Sequence, residues 1–128
     1  MIDRMARGGP FVNSYILVAA GGALGAVLRF AISQTMETPW GTLTVNALGS
    51  LLLGICMAAL ASEMISKDVA LLLGTGILGA FTTMSTFSVE TIELWESTPS
   101  HAVGYAVLTI VLCPLLALAG WKGFELTA

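Results

Sequence analysis

Charge is what this chain has least of. Lys, Arg, Asp and Glu together make up 10% of its 128 residues, where a soluble domain carries about 25%. Too few ionic groups are present to coat a water-facing surface. The formal net charge is −3, and no basic patch interleaved with aromatics offers a nucleic-acid surface. Cysteine is nearly absent too. Cys56 and Cys113 each fall in an apolar run, form no CxxC and have no metal-ligand spacing, so they read as small packing residues. The lone histidine, His101, sits in a polar connector without a partner. Neither a metal cluster nor enzyme chemistry has a residue set here.

What the chain has instead is long uncharged runs. Gly8 to Leu28, Gly41 to Ser62, Val69 to Val89 and Ala102 to Trp121 contain no charged residue. A helix rises about 1.5 Å per residue, so roughly 20 residues cross a hydrocarbon core of about 30 Å. The runs predict an all-α membrane protein, one domain over residues 1–128, with spans near 12–32, 41–62, 69–95 and 101–121. SQTMETPW, SEMISKD and ESTPSH read as short polar turns between antiparallel neighbours. The first run is not expected to be a cleaved signal, since three further spans follow it and no small-x-small site closes it before Arg29.

Small residues recur at helical spacing: Gly21, Gly22, Gly25 and Ala26 in the first span, Ser50 and Gly54 in the second, Thr75 and Gly79 in the third. Such stripes let helix backbones approach closely in lipid. They serve either an oligomer interface or packing within one subunit.

Polar residues inside the spans are few, and one group of them is dense. Residues 82–88, TTMSTFS, carry five hydroxyls in seven positions. Thr and Ser compete for backbone hydrogen bonds and are indifferent helix formers, and Gly74, Gly76 and Gly79 precede them. A break in the third span is therefore expected between about Gly79 and Thr86. Unwound backbone at membrane depth is tolerated only where protein buries it or water lines it, and its free amides and carbonyls can bind ions. Asn46 in the second span has more hydrogen-bonding sites than its own helix can satisfy. The site suits an anion stripped of most of its water. No carboxylate lies at the centre of the block, the donors are hydroxyls and an amide, and Arg29 can attract from a vestibule. Phe87 adds an electropositive ring edge. In the fourth span Tyr105, Thr109 and Cys113 repeat at i, i+4 and i+8, which forms either a polar rail or an interhelical seam.

GGALGAVLRF, GTLTVNALGS and GxxGAFTTMSTFSVET together closely resemble the Fluc (CrcB) fluoride channels of microbial membranes, over nearly the whole chain. The resemblance implies a multi-pass protein of the cell (inner or plasma) membrane that passes fluoride passively and confers fluoride resistance. It implies a dual-topology dimer, two antiparallel subunits with two pores and a structural sodium ion at the centre. The Gly79 and Thr82 backbone carbonyls would hold that ion. Asn46, Ser85 and Phe87 would line a pore with Thr83 and Thr86 close by, and Tyr105 and Thr109 would form a polar track. Glu90 would sit near one pore end, and Arg29 would shape the vestibule. Two positions depart from the family pattern: Met84 replaces a phenylalanine, and Cys113 stands where the track usually has a hydroxyl. A thioether has no positive ring edge, and a thiol is a poor donor.

Neutral donors fit fluoride on physical grounds, because a pore must replace its water without holding it too hard. The competing reading is a small proton-coupled multidrug or cation exporter, also a four-span dual-topology dimer. It needs a carboxylate in the first span, and none lies between Gly8 and Leu28. With the N-terminus inside, Arg4, Arg7, Lys67 and Lys122 lie inside against Arg29 outside. That bias favours one orientation, so the dimer partner is either a second copy or an oppositely oriented relative.

Overall fold

The computed structural model describes residues 11–128, and it is helical almost throughout. Arg4 and Arg7 lie outside the described residues. Helix α1 is Phe11–Ser33 and α2 is Trp40–Ala61. The third span, α3, joins three consecutive pieces: an α-helical turn Lys67–Ala70, a π-helix Leu71–Leu78 and a final turn Gly79–Phe81. Helix α4 is Met84–Ser97 and α5 is Pro99–Thr127. Four helical stretches are long and apolar enough to cross a membrane: Asn13–Ser33, Trp40–Ala61, Lys67–Ser97 and Pro99–Thr127.

Local chemistry sets the ends. Pro39 precedes α2 and Pro99 opens α5 at its first turn, where a missing N–H costs nothing. Ser66 caps α3 by accepting the Val69 amide at 3.2 Å. Helix α5 runs past the apolar stretch to Thr127, and Glu125 accepts from Trp121 Nε1 and Lys122 Nζ in that last turn.

The first two polar turns do not join closely packed neighbours, contrary to the expectation from their length, whereas the third does. Helix α1 packs chiefly on α3, α2 on α5, and α4 on α5, while α1 and α2 barely touch. The small residues decide this. The α-carbons of Gly21 and Gly25 abut the Leu72 and Ile77 carbonyls, and those of Gly54 and Gly120 abut the carbonyls of Ala117 and Leu51. A methyl group at any of these would collide with backbone, so the contacts exist only because the side chain is a hydrogen. The stripes of α1 and α2 thus serve packing within the subunit. Gly79, by contrast, is exposed, and a methyl group there would meet only the Gly74 carbonyl of its own span. The interior is built of small or compact groups, among them Val45, Ala58, Ala59, Ala70 and Ala102.

Candidate functional site

Between α3 and α4 the backbone leaves the helix for two residues. Thr82 (φ −80°, ψ 156°) and Thr83 (φ −151°, ψ 113°) are extended. Neighbouring helices hold this short stretch. Asn46 pairs with the Thr83 peptide at two points: its Oδ1 accepts the Thr83 amide at 2.7 Å, and its Nδ2 donates to the Thr83 carbonyl at 3.1 Å. Arg29 Nε donates to the Ala80 carbonyl at 3.0 Å. Gly49 leaves room for the Thr82 methyl. Thr83 Oγ1 accepts the Thr86 amide at 3.2 Å, which caps α4. The same oxygen lies 3.0 Å from Thr86 Oγ1 and 3.3 Å from Ser85 Oγ.

These bonds divert amides from helical partners. In a continuous helix the Gly79 carbonyl would accept from the Thr83 amide, and the Thr82 carbonyl from the Thr86 amide. Asn46 takes the first amide and Thr83 Oγ1 takes the second. Two carbonyl oxygens one turn apart are thereby released from the i→i−4 ladder.

A second polar cluster lies deeper along α4. Glu90 is buried and accepts from Thr42 Oγ1 at 2.8 Å and from the Tyr105 hydroxyl at 2.9 Å. The Phe87 and Tyr105 rings pack with centroids 5.2 Å apart and planes tilted by 54°. Thr109 lies one turn beyond Tyr105, and its enclosed Oγ1 has no hydrogen-bond partner. Thr82, Ser88 and Thr91 instead bond the carbonyl four residues back, at 3.0, 2.8 and 2.7 Å. Near the Arg29 end of α1, a cleft of about 230 Å³ is lined by Arg29, Ser33, Thr42, Thr83 and Thr86, among others.

The interior thus gathers Asn46, Thr83, Phe87, Glu90, Tyr105 and Thr109, with Thr86 half-buried beside them. Glu90 sits inside the subunit, tied to α2 and α5. Met84 and Ser85 face outward: Met84 is 71% exposed, whereas Phe87, one turn on, is 6% exposed. Sequence reasoning missed Thr42, Gly49 and the Ala80 carbonyl. Thr42 and Gly49 stand four residues before and three after Asn46, on its face of α2, so that helical register was the available signal. The Arg29 bond to a backbone carbonyl had no sequence signal.

Comparison with known proteins places these residues in context. Residues 16–121 match the family model described as "CrcB-like protein, Camphor Resistance (CrcB)". A protein of Thermotoga petrophila named "Fluoride-specific ion channel FluC" is 42% identical over 114 residues, 83% of this chain and 90% of its own length. The protein of that name from Thermus thermophilus is 39% identical over 118 residues, 87% of this chain and 93% of its own. "Fluoride-specific ion channel FluC 2" of Halobacterium salinarum is 48% identical over 102 residues, 73% of this chain and 80% of its own.

Proposed function

Because the chain belongs to the CrcB-like family, which comprises ion channels and not enzymes, we propose that it is a fluoride-selective channel releasing fluoride passively across the cell membrane. One observation carries this reading: the enclosed hydroxyl of Thr109 has no partner, one turn from Tyr105 in the buried polar interior. Buried hydroxyls normally find partners, and a mobile anion or its water supplies the missing one. Arg29 draws the anion to the cleft. The Thr86 hydroxyl, which accepts from Thr83 Oγ1, and the second Asn46 amide hydrogen replace part of its water. The Phe87 ring edge then solvates it without a formal charge, and Thr109, one turn from the Tyr105 hydroxyl that Glu90 holds, offers the next donor. Neutral groups bind weakly enough to let the ion leave.

The channel works as an antiparallel dimer with two pores. Met84 and Ser85 point out of the single subunit beside unwound backbone, a surface that lipid does not cover. A second copy covers it, or an oppositely oriented relative if the charge bias rules out two orientations. The released Gly79 and Thr82 carbonyls fit a structural sodium ion between the subunits. They are hard oxygen ligands of the kind that such cations take, and Gly79 is exposed in the single subunit. When bound, that ion supplies only a fixed positive charge that ties the two interrupted spans together.

The test is efflux from liposomes holding purified protein, followed with fluoride- and chloride-selective electrodes. Fluoride should leave passively and far faster than chloride. Equal chloride flux would overturn the reading, and strict coupling to a proton gradient would favour the exporter.

A further inference from the structure

Helix α1 turns one face to the cleft at its end. Ala26, Arg29, Phe30 and Ser33 all line it, spaced i, i+3, i+4 and i+7 as one side of a helix requires. Arg29 is the one charged side chain among the lining residues. Its Nε is committed to the Ala80 carbonyl at 3.0 Å, which fixes the plane of the guanidinium. Among the described residues nothing accepts from its two Nη groups.

The start of α4 forms another part of the wall. Thr83 and Thr86 line the cleft there, and the positive end of a helix dipole favours an anion. Thr86 Oγ1 accepts from Thr83 Oγ1, so its own hydrogen is left to donate. Thr42 also lines the cleft but gives its hydrogen to Glu90. Ala26, Phe30 and Val45 make the rest of the lining apolar. The cleft measures about 230 Å³. One water takes up about 30 Å³, and fluoride is no larger, so a bare fluoride ion leaves most of this space to something else.

Building on the channel reading, we propose that the cleft is an inhibitory site for a short-chain monocarboxylate of the acetate class, which sets its carboxylate on Arg29 and its alkyl end on the apolar lining and so blocks the fluoride entrance. With Nε engaged, the guanidinium still presents its end, two parallel N–H groups that match the two oxygens of a carboxylate. Thr86 offers a third donor. A dianion would bring a second charge that no lining residue neutralises. Fluoride has no apolar end, so the apolar side of the cleft serves the carboxylate alone. Both ions need the Arg29 charge, and one excludes the other.

The experiment uses the purified full-length protein in liposomes at neutral pH, with acetate equal on both sides and ionic strength held by sulfate. Fluoride efflux is followed at rising acetate, each protein against its own acetate-free rate. Half-block should come at roughly millimolar acetate, within reach of a ligand of so few heavy atoms. Raising fluoride should relieve it, and propionate, with its longer apolar end, should block at lower concentration. Arg29→Lys keeps the charge but lacks the fork, and should need about tenfold more acetate, the scale of one lost charge-assisted hydrogen bond. Ala26→Leu leaves Arg29 in place and narrows the apolar side, and should abolish the advantage of propionate. A second readout is independent of flux: saturation-transfer NMR in deuterated detergent, with aromatic protons irradiated, should reach the acetate methyl group and fall in Arg29→Lys. Equal block of Arg29→Lys and the starting protein overturns the proposal. So does block that fluoride does not relieve, or saturation transfer without any slowing of fluoride. Were fluoride flux absent before acetate is added, the channel reading would fall, while the saturation transfer would still decide whether the cleft takes a carboxylate.

Discussion

Replacing Asn46 by Asp changes one pair of atoms, and the structure fixes what those atoms touch. Oδ1 survives and continues to accept the Thr83 amide. The Nδ2 donor becomes an oxygen 3.1 Å from the Thr83 carbonyl oxygen, so an attraction turns into a repulsion. Leaving one buried carbonyl unsatisfied costs about 1–3 kcal/mol. Asn46→Leu strands both the amide and the carbonyl of Thr83, about 2–6 kcal/mol on the same scale. Hydrogen bonds measured within a membrane protein average only about 0.6 kcal/mol, so the observed losses should fall toward the low ends of these ranges. Stability and conduction should then rank the variants differently. Leu unfolds more easily in detergent. Asp adds a negative charge beside the path, and an anion about 5 Å away meets roughly 3 kcal/mol of repulsion at an effective dielectric of 20, on the order of a hundredfold in occupancy. Asn46→Asp should thus keep its dimer on size exclusion, lose a modest part of its thermal stability and lose nearly all fluoride efflux. Parental efflux from Asn46→Asp would refute the reasoning, and Asn46 would be glue between α2 and the extended Thr82–Thr83 stretch.

Two further outcomes follow from packing and from the ring edges. Gly25→Val should prevent assembly, because its side chain would drive into the Ile77 backbone at a cost of at least about 1–3 kcal/mol. Gly22→Ala, with nothing within 4 Å of the added carbon, should leave the melting temperature unchanged or slightly raised; an equal loss in both would show that the α1 stripe is not the contact described. Phe87→Ile should cripple fluoride efflux because it removes the ring set against Tyr105, while Met84→Phe should raise the rate by adding a second edge. Normal conduction by Phe87→Ile, at matched protein density, would return Phe87 to a packing role.

The spans were legible because lipid imposes a composition that charge-free runs display openly. Thr82 and Thr83 could also be suspected from their neighbours, since hydroxyls crowded after glycines are poor helix material. The packing partners were less accessible. Nothing in the spacing of Gly21 and Gly25 says whether the backbone they admit belongs to the same chain, and the notch proved to hold Leu72 and Ile77. The π-helix Leu71–Leu78 was likewise invisible, because it differs from an α-helix by a register of hydrogen bonds that no side-chain pattern encodes. Glu90 shows the same limit from the other side. Its acidity was evident, but its burial between Thr42 and Tyr105 depends on how α2 and α5 come together.

The pairing of α1 with α3, and of α2 with α5, has a consequence for how the protein is made. Spans leave the ribosome in chain order, yet neither α1 nor α2 has its main partner directly after it. When α1 enters the bilayer its glycine notch is empty, and it stays empty until the third span arrives. Helix α2 waits longer, for the last span of all. The first two spans therefore cannot be built up as a pair during synthesis. Each span must commit to a direction across the membrane as a lone helix, guided by its flanking charges and not by its eventual neighbours. Orientation is settled before packing can influence it, and a single Lys or Arg added to a connector should shift the way the whole molecule faces.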